Sequence, residues 1–284
     1  MTVAPADLLP VMQRSHGAGT LEVKRSGGAT RIARLHQSGN ARIRVPKTYG
    51  KALEAVLINT SGGITGGDTL AWTISAAPAT ETVVTTQACE RIYKSSGDTG
   101  RQESAIRVGA GASLFWLPQE TILFDGGRLQ RGLDVSLGED ARFLGLETLV
   151  FGREAMGETV ASAFFHDRWR IRGADGDLVH ADDVRFDLRG AGETADPAVL
   201  GGNRVVATLV FATPDDGESR GLMVAGARAL LKDATGGASQ IGDKKGGKVV
   251  IRLAAPSSYI LREQLLPVIA LFLGERALPK VWSL

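Results

Sequence analysis

Residues 57–70 read Leu57-Ile58-Asn59-Thr60-Ser61-Gly62-Gly63-Ile64-Thr65-Gly66-Gly67-Asp68-Thr69-Leu70, two glycine pairs closed by an aspartate. Glycine takes positive φ readily and lets another backbone approach closely, so paired glycines mark an unusual turn. An apolar run, Leu53 to Ile58, precedes the loop, and a Thr/Ile/Trp stretch, Thr69 to Ile74, follows it. Both are good strand formers. The pattern predicts a strand, a tightly wound loop and a returning strand. It does not predict a phosphate site. A phosphate loop needs Lys-Ser/Thr after its last glycine, and Asp68 stands there, repelling phosphate. The dinucleotide glycine spacing and its helix are also missing.

Outward from this loop the chain alternates in the manner of strands. Phe165, Trp169 and Ile171 oppose His166, Arg168, Arg170 and Arg172; Val184, Phe186 and Leu188 oppose Asp183, Arg185, Asp187 and Arg189. Leu133, Val135 and Leu137 alternate with Asp134 and Ser136, and segments 81–88, 103–108 and 112–117 add three more strands. The last is apolar on both faces, which predicts a strand buried between layers. The 36 glycines punctuate these runs as in a many-stranded β fold. Segments 24–31, 96–101 and 190–203 read as loops.

The C-terminal third changes character. Leu222, Met223, Ala227, Leu230 and Leu231 fall at helical spacing over 219–233, with Gly236-Gly237 as a stop. A second helix starts at Ser257 or Ser258 as N-cap, with Leu261, Leu265, Val268 and Phe272 on one stripe. Pro267 is expected to kink or split it. Lys248 to Leu253 reads as a strand between the helices. The expected architecture is mainly β with two α-helices in the C-terminal third, in one domain.

Basic and acidic residues nearly cancel, 33 against 31, which argues against a nucleic-acid binder relying on a basic face. Cys89 is the single cysteine, so the chain forms no internal disulfide and no cysteine zinc site. Residues 1–10 lack a basic n-region and contain Pro5 and Pro10, unlike a signal peptide. The longest apolar run, Leu265 to Leu273, is broken by Pro267 and far short of a bilayer span. A cytoplasmic protein without nucleic-acid or membrane partners is expected.

No catalytic constellation stands out. None of the four histidines forms a metal-ligand pair, and His166 lies on an arginine face as a solvated side chain. His180 with Asp182 and Asp183 is the better metal candidate, yet a site needs three ligands with satisfied outer partners. Cys89 reads as a half-buried structural thiol. Glu147, Glu154 and Glu158 cluster around Arg153 and read as a strand end and loop held by salt bridges. From these residues binding or scaffolding follows more naturally than turnover.

Taken in order, four blocks resemble the UreD (UreH) urease accessory proteins. The first is Asn59, Gly62, Gly63, Gly66, Gly67 and Asp68, within Leu57 to Asp68; the second is Gln87 with Tyr93 and Lys94. The third is Pro118, Gln119 and Glu120 with Ile122 and Phe124; the fourth is Gly152, Arg153, Gly157 and Glu158. The likeness spans roughly residues 16–275. It implies stacked, partly β-helical sheets in a single domain over 1–284, with 1–15 and 278–284 as flexible tails. It also implies a maturation chaperone rather than an enzyme. Such a protein binds apo-urease, a UreF-type adaptor and a UreG-type GTPase, and assists nickel insertion through an internal channel. No cofactor is tightly bound; nickel is in transit and should meet oxygen ligands and water, since a strong site would trap it. Asp68, Glu120 and Glu147 are the candidates for lining that path. The alternatives are a β-helical carbohydrate-active enzyme, with a groove of paired carboxylates and aromatic platforms, and a small-molecule-binding β domain with an apolar pocket.

Overall fold

The computed structural model describes residues 13–48, 50–190, 192–231, 235–242 and 246–282. Its strands are β1 (His16–Ser26), β2 (Ala29–Ser38), β3 (Ala41–Arg44), β4 (Leu53–Asn59), β5 (Thr69–Ala76) and β6 (Glu81–Thr86). They continue as β7 (Glu90–Ile92), β8 (Gly100–Val108), β9 (Ser113–Leu117), β10 (Thr121–Leu123), β11 (Arg128–Leu137) and β12 (Arg142–Phe151). The last are β13 (Ala163–Arg172), β14 (Leu178–Leu188), β15 (Val205–Thr213), β16 (Thr235–Ile241) and β17 (Gly247–Ala255). Two helices, α1 (Gly217–Leu230) and α2 (Ser258–Leu273), flank the last hairpin.

The chain passes back and forth between two sheets, with some consecutive strands kept in one sheet. One runs β14-β13-β11-β8-β5-β1-β2; the other runs β16-β17-β15-β12-β9-β6-β4-β3, with β10 paired to β12 and β7 to β10. Within the first, β1, β5, β8, β11 and β13 pair in parallel. Within the second, β4, β6, β9 and β12 do the same. Each strand therefore pairs with the strand one coil away in sequence, and the chain winds as a β-solenoid. At both ends of the first sheet the winding stops in an antiparallel partner, β2 against β1 and β14 against β13.

The inward side chains of both sheets form one core, from Leu21, Trp72 and Ile106 to Phe143, Phe165 and Ile171. A second core lies between the outer face of the second sheet and the helices, where Phe211 meets Phe272 at 5.3 Å between ring centres. Strand β9 serves both: Leu114 and Trp116 face the first core, Phe115 and Leu117 the second. That is the strand between layers that its apolar sequence predicts.

Several expectations need correction. The loop at 62–68 does not fold β4 onto β5; it carries the chain from one sheet to the other, because each strand finds its partner in the neighbouring coil. Segment 24–31 is a hairpin, turned by Gly27 and Gly28 at φ 57° and 75°, the positive pair that a two-residue turn demands. Gly100 already belongs to β8, so the loop at 96–101 is shorter than expected. Gly236 and Gly237 are not a helix stop but lie within β16. Pro267 does not split α2: it sits on the exposed side, where the missing N–H costs one bond while Leu265, Val268 and Ile269 stay buried. Much of the segment 278–284 is packed rather than loose, with Trp282 only 2% exposed. Residues 1–12, 283 and 284 of the expected tails lie outside the described residues.

Candidate functional site

Inward positions of β11 are Leu129, Arg131, Leu133, Val135 and Leu137, so one arginine interrupts an apolar row and points between the sheets. An arginine there needs partners, because an unpaired buried charge is costly. It finds two carboxylates. Arg131 Nη1 lies 2.6 Å from Glu147 Oε2 on β12, and Nη2 lies 2.7 Å from Asp167 Oδ2 on β13. Nη1 also donates to Thr121 Oγ1 at 3.0 Å, and the guanidinium stacks 5.3 Å from the centre of the Phe165 ring. The acids are themselves oriented: Trp116 Nε1 donates to Glu147 at 3.2 Å, and Trp169 Nε1 to Asp167 at 3.3 Å. Burial alone would lower the arginine's pKa; Asp167 and Glu147 outweigh it and hold the guanidinium charged. Burial pushes the Glu147 carboxyl up to about 7, against the pull of Arg131.

Arg131 and Glu147 line both of two neighbouring cavities. The first, about 140 Å³, is bounded among others by Asn59, Gly62, Gln87, Cys89, Glu90, Trp116 and Gln119. The second, about 40 Å³, is bounded by Asp167, Trp169, Asp182, Val184, Val206 and Thr208. Both are large enough to hold water. Glu90 accepts from Asn59 Nδ2 at 3.0 Å, and burial lifts its carboxyl to about 7.

Beside the first cavity, Cys89 Sγ lies 3.4 Å from Glu120 Oε2. Burial first, then the Glu120 charge, push the thiol up to about 12, which makes it a poor nucleophile. Glu120 itself is gripped by Arg262 of α2, Nε to Oε1 at 2.6 Å and Nη2 to Oε2 at 2.8 Å. Burial would raise its pKa, but that grip holds it below the ordinary value. Arg262 also donates to Gln119 and stacks on Trp282, while Gln119 Nε2 donates to Val281 O. The last turn of the described chain is thus tied to the cavity wall.

Three of the four sequence blocks converge here, through Asn59, Gly62, Gln87, Pro118 and Gln119. Tyr93 links them: its hydroxyl donates to Gly62 O at 3.2 Å and its ring meets Phe124 edge-on at 5.2 Å. The fourth block sits behind Phe124, with Arg153 stacked 4.4 Å from that ring and clasped by Glu158. The model of the UreD urease accessory protein family matches residues 15–283. The chain belongs to the UreD family. A UreD urease accessory protein of Rhizobium rhizogenes is 48% identical over 284 residues, covering 100% of both chains. One from a Chelativorans species is 47% identical over 277 residues, covering 96% of this chain and 95% of that one. The Brucella abortus protein named UreD 1 is 45% identical over 273 residues, covering 96% and 95%. These relatives are named for an accessory role to urease.

The structure separates the three acids singled out in this UreD sequence. Glu147 stands at the junction of the cavities and Glu120 behind the wall of the first. Asp68 borders neither; Oδ1 accepts from Ser15 N at 2.8 Å and Oδ2 from Thr65 N at 2.9 Å, clasping the glycine loop. Lys94, in the second block, pairs with Gly127 at the next coil. Glu147 is not part of a strand-end cluster with Glu154 and Glu158: it is mid-strand and 8% exposed, and only Glu158 bonds Arg153. His166 is bonded to Asp183 at 2.8 Å, and Asp182 to Arg252 at 2.6 Å. Burial and then Lys248 lower the His180 pKa to about 4. Among the described residues no three His, Cys, Asp or Glu side chains are grouped to hold a metal ion. The groove of paired carboxylates that a carbohydrate-active enzyme needs finds no support, since these acids face inward and bond arginine. No described helix is long and apolar enough to cross a membrane. Arg131, Asp167 and Glu90 escaped the sequence reading. The available signal was a charge at an inward position of an otherwise apolar alternation.

Proposed function

We propose that this UreD family member is a urease maturation chaperone that binds apo-urease, a UreF-type adaptor and a UreG-type GTPase and passes nickel through its interior. The observation that carries the reading is the pair of neighbouring cavities that Arg131 and Glu147 both line. The polar residues among their linings offer carboxylate, amide and hydroxyl oxygens, which suit a hard or borderline divalent ion in passage. Glu90, Glu147, Asp167 and Asp182 are the carboxylates of the route; Glu120 and Gln119 brace its wall. Asp68 serves the loop instead. Nickel is cargo here, held in passing and released. The protein is read as working in the cytoplasm.

Co-expression of urease with its accessory proteins, with and without this chain, tests the reading. Urease nickel content and activity are expected to fall without the chain, and to fall again when Glu147→Gln replaces the native residue. Full nickel loading in both cases sinks the proposal.

A further inference from the structure

A route for a divalent cation meets an obstacle in this fold, because the junction of the two cavities is occupied by a cation already. We propose that Arg131 is an internal plug: its guanidinium occupies both the Glu147 and the Asp167 carboxylates in the resting protein, and nickel advances only when that guanidinium is displaced. The proposal rests on the nickel-route reading and adds how the route is held shut.

Four observations support it. Arg131 and Glu147 are the two residues that line both cavities, so the guanidinium sits where the cavities adjoin. Its contacts to Glu147 at 2.6 Å and Asp167 at 2.7 Å tie together strands of opposite sheets, β12 and β13, across the interior. The guanidinium is buried, with Arg131 5% exposed, and it takes up carboxylate oxygens that a passing cation would need as ligands. Finally, Asp167 Oδ1 has no hydrogen-bond partner among the described residues although it is buried. The carboxylate pair therefore keeps acceptor capacity beyond what the arginine uses. A polar triad of this kind adds little to stability compared with an apolar filling of the same volume. Its place at the constriction points to control of what enters.

The plug makes a binding prediction that does not depend on urease. Untagged full-length protein is titrated with nickel alone by calorimetry. The native chain is expected to bind no nickel at the junction. Arg131→Met, which keeps volume and removes charge, is expected to gain one nickel site. That site is expected to vanish in Arg131→Met/Glu147→Gln/Asp167→Asn, which separates it from surface histidines. A folded Arg131→Met protein that binds nickel no better than native overturns the plug. Should Arg131→Met fail to fold, Arg131→Met/Asp167→Asn leaves one buried acid that its own proton can neutralise. It is expected to bind one nickel, more tightly as pH rises, and its failure to do so overturns the plug equally. Urease activation separates this idea from the route itself. If Glu147→Gln abolishes activation while Arg131→Met gains no nickel, the route stands and the plug falls. If Arg131→Met gains the site while Glu147→Gln activates urease normally, the plug stands as a binding fact and the route falls.

Discussion

Asp68 is the residue whose position in the sequence promised most and whose chemistry turns out to be local. Both carboxylate oxygens accept backbone N–H bonds, from Ser15 and Thr65, so the side chain closes the coil rather than facing a cavity. Removing such an acceptor leaves two backbone donors without a partner, at roughly 1–3 kcal/mol. Asp68→Ala is therefore expected to lower the unfolding midpoint, with Asp68→Asn intermediate, and to leave nickel loading per folded molecule unchanged. A loss of loading in a variant of native stability contradicts this. Gly66 shows why the glycines are where they are: a Cβ there would stand 2.0 Å from Ser95 Oγ and 2.4 Å from Asp98 O. Gly66→Ala is expected to destabilise by about 1–3 kcal/mol through overpacking, read from chemical denaturation. At this scale Arg131 and Asp167 are legible as charges at inward positions of alternating strands. Asp167 shares a face with Phe165 and Trp169, yet alternation draws the eye to the apolar members and passes over the charged one. The packing of one sheet on the other that brings Arg131 within reach of Glu147 is not written in either strand.

Among elements, strands and helices were largely readable because their periods of two and 3.6 residues survive in a single sequence. What was not readable is which strand pairs with which. In a solenoid the partner lies a coil away, and no local turn chemistry encodes that choice. The loop at 62–68 consequently looked like a hairpin corner. The C-terminal turn reads as a loose tail for a similar reason, since its anchor, the Leu117 carbonyl that accepts from Trp282 Nε1 at 3.2 Å, is remote in sequence. Trp282→Ala is expected to cost about 3–5 kcal/mol, as for other buried aromatic truncations. Because Gln119 and Arg262 lean on the same turn, Cys89 should also be alkylated faster in that variant. An unchanged alkylation rate would show that the turn and the cavity wall are not coupled.

For the whole molecule, the buried carboxyls set how stability depends on pH. Glu90 titrates near 7 in the folded chain and near its ordinary value of 4.5 when unfolded. Between those values the folded state holds the extra proton, so the stabilisation is full below 4.5 and is lost as pH rises through 7. The full shift corresponds to about 3 kcal/mol; solvent in the cavity that Glu90 borders reduces this to about 1–2 kcal/mol. Glu90→Gln is expected to flatten part of that slope and to gain on the native protein from about pH 5 to about pH 8. Glu147 titrates in the same direction and retains the remainder. Identical slopes for both proteins would refute the assignment to Glu90.

The antiparallel strands that end the first sheet carry a further consequence. A parallel coil presents at each end the same row of backbone donors and acceptors that its own next turn would have used. Left bare, such an end templates another molecule, and the stack lengthens into a fibre. Strand β2 reverses direction at one end and exposes Arg31 and Arg34 along an otherwise uncovered ribbon; β14 reverses at the other with Asp183, Arg185 and Asp187. Growth by simple repetition is thereby stopped with charge as well as with polarity of the chain. A protein built like the core of a filament is kept finite by its two outermost ribbons.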